Sequence, residues 1–148
     1  MGYVGCCDGL DAEQMSKGSS LGEVADFVDK TKIDALAIAV GTNHGTIRGN
    51  VKLNFPRLGE LNSVLNMPLV LHGGSRLGKE EYRNSIQSGI TKINIATDMS
   101  MAAAGRLKNE LTNNPGANYI HLMTAVKKGV KDSVRKYMLE FDCISKAI

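Results

Sequence analysis

The sequence predicts a parallel α/β fold, because short apolar runs alternate with longer segments of helical period. Three runs are too short for typical helices and are apolar on both faces, as are strands of a parallel sheet covered by helices. They are residues 35–40, 68–71 and 93–96. The predicted order is helix, strand, helix, strand, helix, strand, helix, helix, which is typical of βα repeats.

Five helices are predicted from capping signals and apolar spacing. Ser20 and Glu23 resemble a capping box before a helix at about 21–31, and Pro56 fits the first turn of a helix at about 56–65. Gly89 ends a third helix that begins at Lys79. The last two helices are expected at about 99–111 and 118–137.

The number of strands is too small for a closed barrel. An eight-stranded βα barrel needs about 250 residues, whereas this chain has 148. Residues 1–5 resemble the end of a further strand, and residues 8–20 are expected to form a mobile loop.

Composition excludes several classes of function. The chain is 43% hydrophobic and 22% charged, as in one ordinary globular domain. Its charge of +3 comes without a basic run and with 5% aromatic residues, which disfavours nucleic-acid binding. No apolar stretch approaches the roughly 20 residues that cross a bilayer, and no signal peptide is evident. The three cysteines suggest free thiols rather than a disulfide framework. We therefore expect a cytoplasmic protein without a membrane partner.

Polar residues cluster where the predicted strands end. The first strand runs into Gly41-Thr42-Asn43-His44-Gly45 and the second into His72-Gly73-Gly74-Ser75, while Asn94 lies in the predicted third strand, which ends at Thr97. Ligands bind at the carboxyl ends of parallel strands. Two of the three histidines are thus predicted on one rim.

This rim admits two interpretations. Imidazoles are common zinc ligands, but a catalytic zinc takes three protein ligands, so His44 and His72 alone are incomplete. Gly73, Gly74 and Ser75 could approach an anion near the helix that begins at Lys79. The alternative is that the histidines are hydrogen-bonded loop residues and that the glycines form an ordinary turn. His121, inside the last predicted helix, is given no ligand role, and the charged residues Lys127, Lys128, Lys131 and Asp132 are interpreted as a solvated helix face. No nucleotide-binding motif is present.

Three segments resemble the class II ketose-bisphosphate aldolases, nearest to the fructose- and tagatose-bisphosphate branch. They are DALAIAVGTNHG (34–45), PLVLHGGS (68–75) and KINIATD (92–98). The resemblance extends in order from about Gly2 to the C-terminus.

The resemblance implies the C-terminal part of a (β/α)8 TIM barrel, with about three complete βα units plus C-terminal helices in one partial domain, 1–148. It implies reversible cleavage of fructose or tagatose 1,6-bisphosphate to dihydroxyacetone phosphate and glyceraldehyde 3-phosphate, with Zn²⁺ as cofactor and a monovalent cation as a possible second ion. His44 and His72 would be zinc ligands. The implied substrate-binding residues are Gly45, Gly73, Gly74, Ser75, Asn94, Ile95, Ala96 and Thr97. A homo-oligomer, or association with an N-terminal half, is also implied.

The sequence departs from the family pattern in its acidic groups. The family's Asp-His pair, which carries the proton-transfer aspartate and another histidine ligand, is absent and is expected upstream of Met1. The acidic loop is shortened to Gly5-Cys6-Cys7-Asp8-Gly9. Three hypotheses follow: part of an aldolase that is inactive alone, a non-catalytic half-barrel module that binds metal or sugar phosphate, or one partner of a complementing enzyme. The sequence does not distinguish fructose from tagatose bisphosphate.

Overall fold

The computed structural model describes residues 5–6, 20–41, 43–44 and 53–146. The chain divides into two compact units, Met1–Ile95 and Ala96–Ile148. The predicted loop at 8–20 lies outside the described residues except for Ser20.

In its described residues, the first unit contains parallel strands and three helices. Its elements are β1 (Gly5–Cys6), α1 (Leu21–Thr31), β2 (Leu36–Ile38), β3 (Asn43–His44), α2 (Phe55–Leu65), β4 (Leu69–Leu71), α3 (Lys79–Gln87) and β5 (Ile90–Ile93). Strands β2, β4 and β5 form one parallel sheet in the order β2-β4-β5, and β1 pairs in parallel with β3. The predicted parallel α/β architecture is confirmed.

Local capping explains where the first two helices begin. Ser20 Oγ accepts a hydrogen bond from the Glu23 N–H at 3.2 Å, and the Ser20 N–H donates to Glu23 Oε2 at 2.7 Å, so the predicted capping box is confirmed. In α2, the Asn54 side chain accepts from the Arg57 N–H at 3.0 Å, with Pro56 in the first turn.

The predicted position of the third strand, 93–96, is wrong. Strand β5 covers Ile90–Ile93, and its last residue pairs with Leu71 of β4. Thr91 and Lys92 are exposed, so this outer strand of the described sheet is not apolar on both faces, and an apolar run does not reveal its start. Asn94 therefore follows the strand rather than lying within it.

The core of the first unit surrounds the central strand. All three residues of β4 are buried, as predicted for a strand covered on both faces. Apolar residues from α1, α2, the neighbouring strands and the segments that follow β2 and precede α2 complete this core, namely Val24, Leu36, Ile38, Val40, Leu53, Leu58, Leu61 and Ile90.

The second unit is a helical hairpin. It consists of α4 (Thr97–Asn113) and α5 (Tyr119–Glu140), each longer than predicted. A Cβ placed on Gly129 of α5 would lie 2.6 Å from the Ala102 carbonyl oxygen of α4, so glycine permits the close helix contact. Arg106 and Asp132 add an ion pair at 2.8 Å.

Two further expectations bear on the described residues. None of the helices in the described parts of the chain is long and apolar enough to span a membrane. Cys143 is a free, exposed thiol, whereas the side chains of Cys6 and Cys7 lie outside the described residues.

Candidate functional site

The turn after β4 carries the His72-Gly73-Gly74-Ser75 segment. Gly73 has a φ of 65° and Arg76 a φ of 65°, both in the left-handed region. Glycine adopts this conformation without a Cβ clash, so the backbone alone accounts for Gly73. His72 is half-buried and Ser75 is buried with 7% of its surface exposed.

Gly74 has a different reason to be glycine. A Cβ at this position would lie 2.6 Å from Ile93 Cγ2 and 3.1 Å from the Asn94 carbonyl oxygen. The Gly74 N–H donates to that same carbonyl oxygen at 3.3 Å. Close packing of the turn against the end of β5 therefore explains this glycine, and its amide is engaged within the protein.

Asn94 joins the ends of two neighbouring strands. Its N–H donates to the Leu71 carbonyl oxygen at 2.9 Å, while its own carbonyl accepts from Gly74. These bonds bring the segment after β5 next to the turn after β4, as expected for the carboxyl ends of parallel strands. The structure thus places Asn94 beside the 72–75 turn, with its side chain half-buried rather than buried.

A residue that the sequence did not single out holds this turn from the other side. The Tyr82 hydroxyl, fully buried in α3, donates to the Gly74 carbonyl oxygen at 2.6 Å. Both polar backbone groups of Gly74 are therefore hydrogen-bonded. The available signal was a lone aromatic residue in a mostly polar helical segment, Lys79–Gln87, and a buried tyrosine hydroxyl usually has a hydrogen-bond partner.

The remaining predicted substrate-binding residues lie at and beyond the end of the first unit. Ile95 is half-buried, and its Cδ1 atom would lie 3.2 Å from a Cβ on Gly74. Ala96 and Thr97 belong to the second unit, where Ala96 precedes α4 and its carbonyl accepts from the Ser100 N–H at 3.0 Å.

The two predicted zinc ligands differ in how far the structure describes them. His44 lies in β3, paired in register with Cys6, but its side chain is outside the described residues, as is Gly45. His72 follows β4 directly. No group of three or more His, Cys, Asp and Glu side chains that could hold a metal occurs among the described residues. His121 is exposed in the first turn of α5.

The donor chemistry fits zinc in part. A half-buried imidazole at a strand end is a suitable nitrogen donor, so His72 fits as one ligand. With His44, the predicted rim offers two imidazoles, one fewer than the usual set of three protein ligands at a catalytic zinc. That the two imidazoles converge remains a prediction.

Parallel strands with polar, glycine-rich carboxyl ends define an α/β protein with a candidate ligand site at one rim. The model of the family "Fructose-bisphosphate aldolase class-II" matches residues 2–146. The chain therefore belongs to the class II fructose-bisphosphate aldolase family.

Solved aldolase structures resemble the chain over about half of their own length. The YdjI aldolase from Escherichia coli K12 is 31% identical with a TM-score of 0.80, covering 88% of this chain and 48% of that one. A candidate fructose-1,6-bisphosphate aldolase from Coccidioides immitis is 25% identical with a TM-score of 0.77, covering 97% and 50%.

A third structure supports the fold alone. The fructose-bisphosphate aldolase from Campylobacter jejuni is 22% identical, with a TM-score of 0.68 and coverage of 95% and 50%. The chain thus spans about half the length of these aldolases, and its predicted fold class, part of a TIM barrel, is confirmed.

Proposed function

We propose that the chain provides one part of the zinc and substrate site of a class II ketose-bisphosphate aldolase, and corresponds to its C-terminal half. The reaction is reversible aldol cleavage of fructose or tagatose 1,6-bisphosphate to dihydroxyacetone phosphate and glyceraldehyde 3-phosphate. The observation that carries the proposal is the His72–Ser75 turn, which Asn94 and Tyr82 fix at the strand ends through the Gly74 backbone. In a chain of this family, that turn is the best-supported place for substrate.

His44 and His72 are the proposed zinc ligands. When bound, zinc acts as a Lewis acid that polarises the substrate's ketone oxygen. His72 lies next to the glycine turn, so one imidazole can serve the metal while the neighbouring residues serve the substrate. The third histidine ligand and the proton-transfer aspartate would come from the family's Asp-His pair, which this sequence does not contain.

The phosphate and hydroxyl groups of dihydroxyacetone phosphate are assigned to the polar strand ends. Ser75 offers a hydroxyl, and Gly73 permits close approach of the backbone. Gly45, Gly74 and residues 94–97 complete the proposed set.

The isolated chain is expected to have negligible cleavage activity. Absence of a well-placed general acid–base typically costs about 10²–10⁴ in rate, and an incomplete ligand set weakens metal binding further. Binding of dihydroxyacetone phosphate does not need the proton-transfer group. The isolated chain should therefore bind this product weakly without cleaving the ketose bisphosphate.

Association with a second polypeptide is part of the same proposal. Strands β2 and β5 are the outer strands of the described three-stranded sheet, and unpaired sheet edges favour association. Either a second copy or a polypeptide with the N-terminal half of the barrel would cover them. Sedimentation of the purified chain distinguishes a monomer from a homo-oligomer.

A cytoplasmic location is likewise proposed.

The experiment compares two buried serines in the presence of zinc. Ser75→Ala should weaken dihydroxyacetone phosphate binding by on the order of tenfold, because it removes a proposed ligand hydroxyl. Ser85→Ala is the matched control, since Ser85 is fully buried and its hydroxyl has no hydrogen-bond partner among the described residues. Calorimetric titration gives both affinities, and thermal unfolding checks that each variant is folded.

Two results would contradict the proposal. Equal affinity for the wild-type chain and the Ser75 variant would remove Ser75 from the substrate site. Cleavage of either ketose bisphosphate by the purified chain, free of host aldolase, would show that its own residues complete the catalytic set.

A further inference from the structure

Two consecutive glycines give the proposed substrate turn a large backbone freedom. Gly73 has a left-handed φ of 65°, and glycine populates more of φ/ψ space than any other residue. A stiffer residue does not fit at Gly74, because its Cβ would lie 2.6 Å from Ile93 Cγ2. The conformation that presents Ser75 therefore depends on contacts made to the turn from other elements.

One such contact comes from the end of β5. The Gly74 N–H donates to the Asn94 carbonyl oxygen at 3.3 Å, which holds the peptide unit between Gly73 and Gly74. The next peptide unit, between Gly74 and Ser75, turns about the Cα–C bond of Gly74. The bond to Asn94 alone does not fix that rotation.

The Tyr82 hydroxyl engages this next peptide unit. It donates to the Gly74 carbonyl oxygen at 2.6 Å. A peptide unit is planar, so this oxygen, the Ser75 nitrogen and the Ser75 Cα belong to one rigid group. A hydrogen bond to the oxygen therefore restricts where Ser75 lies and from where its hydroxyl projects.

Tyr82 is anchored well enough to restrict the turn. It is fully buried in α3, as is Ser85 about one turn further along the helix. The Tyr82 N–H donates to the Gly78 carbonyl oxygen at 3.2 Å, in the first turn of α3. A ring packed in the interior has little freedom, so the hydroxyl at its end is a fixed donor.

We propose that Tyr82 is a positioning residue for the substrate. Its hydroxyl acts through the peptide unit between Gly74 and Ser75 and holds the Ser75 hydroxyl where dihydroxyacetone phosphate binds. The inference rests on the proposed function, because it takes Ser75 as a substrate ligand.

The first test measures binding of dihydroxyacetone phosphate to the whole chain by calorimetry with zinc present. Tyr82→Phe keeps the buried ring and loses the bond to Gly74, so binding should weaken by on the order of tenfold. Ser85→Ala is the matched control and should bind like the wild-type chain. It also removes a buried hydroxyl from α3, but one without a hydrogen-bond partner among the described residues.

A double variant separates positioning of Ser75 from a general structural role. If Tyr82 acts through Ser75, Tyr82→Phe should cost little further affinity in a chain that already carries Ser75→Ala. The double variant should then bind about tenfold more weakly than the wild-type chain, whereas independent effects would multiply to about a hundredfold. Wild-type affinity in Tyr82→Phe, or multiplied losses in the double variant, would overturn the proposal.

The second test does not depend on substrate. Tyr82→Phe should speed hydrogen exchange of the Gly74 amide by on the order of tenfold, because the turn is held at one peptide unit fewer. The Leu58 amide, bonded to the Asn54 carbonyl oxygen in α2, is the internal reference and should not change. Equal acceleration at Gly74 and Leu58 would indicate general destabilisation and would contradict a positioning role.

The two tests separate failure of this inference from failure of the proposed function. If the wild-type chain binds no dihydroxyacetone phosphate, the proposed function fails, and Gly74 exchange still decides whether Tyr82 holds the turn. Equal Gly74 exchange in the wild-type chain and Tyr82→Phe would overturn the positioning role. Thermal unfolding checks that every variant is folded.

Discussion

Gly73 and Gly74 are adjacent, yet each requires glycine for a different physical reason. Gly73 needs a left-handed φ of 65°, whereas Gly74 needs the space that a Cβ would take from Ile93 and the Asn94 carbonyl. The sequence predicted two glycines that approach a ligand. It could not show that Gly74 also packs against the end of β5, because that contact joins residues about 20 positions apart in a register set by folding.

Gly74→Ala should destabilise the first unit. The nearest atom is 2.6 Å from the added Cβ and the next is a backbone oxygen at 3.1 Å, so the turn and β5 must move apart. Overpacking of this kind costs about 1–3 kcal/mol. Urea unfolding measures the loss.

Gly59→Ala provides the matched control for Gly74→Ala. Gly59 lies in α2, and no atom lies within 4 Å of its added Cβ. Alanine is favoured over glycine in a helix by about 1 kcal/mol, so this variant should gain stability. Equal unfolding free energies for Gly74→Ala and the wild-type chain would contradict the packing account.

The sequence singled out His72 but not Tyr82. His72 could be singled out because a histidine after a buried strand is chemically suggestive. The hydroxyl of Tyr82, in α3, donates a hydrogen bond to the carbonyl oxygen of Gly74, eight residues earlier in the turn before this helix. Nothing in the spacing of apolar residues specifies that partner.

Helices were predicted more accurately than strands at the scale of single elements. The bounds of α1 agree with the structure because a capping box and apolar spacing both act locally. Strand β5 was misplaced because Thr91 and Lys92 interrupt the apolar pattern. A strand takes its position from pairing with a neighbour, and that information is not local.

The capping box makes part of the stability of α1 depend on pH. The Ser20 backbone N–H, and to a lesser extent the Ser20 side chain, hydrogen-bonds the Glu23 carboxylate and lowers the pKa of Glu23 below its ordinary value of 4.5. A carboxyl with a lowered pKa stabilises the folded state above its unfolded pKa. That contribution is lost as the pH falls through the folded pKa.

Glu23→Gln should remove this pH-dependent contribution. The difference in unfolding free energy between the wild-type chain and the variant should be constant near neutral pH and should shrink between about pH 5 and about pH 3. Urea titrations across that range measure it. A difference that grows as the pH falls would contradict the capping account.

The whole chain combines a parallel α/β unit with a helical hairpin. Alternating apolar runs and helical segments predict the parallel sheet, because only a sheet covered on both faces buries such strands. These patterns do not predict that α4 and α5 pack against each other as a separate unit. Helical periodicity identifies the apolar face of a helix but not the element that this face contacts. That partner depends on single close contacts, such as Gly129 against Ala102.

Within the described residues, the structure brings together the parts of the candidate site that follow β4 and β5. Backbone hydrogen bonds bring Asn94 to the His72–Ser75 turn, as the strand-end rule predicts. The predicted pairing of His44 with His72 concerns a side chain outside the described residues. Family membership supports zinc at this rim, and the assignment of its ligands is a proposal.

Zinc affinity in three histidine variants of the purified chain tests the proposed ligand set. His44→Ala and His72→Ala should each weaken zinc binding by at least about tenfold, because each removes a proposed ligand. His121→Ala, altered on the exposed surface of α5, should bind zinc like the wild-type chain. Zinc binding by His44→Ala and His72→Ala that equals that of the wild-type chain would contradict the account.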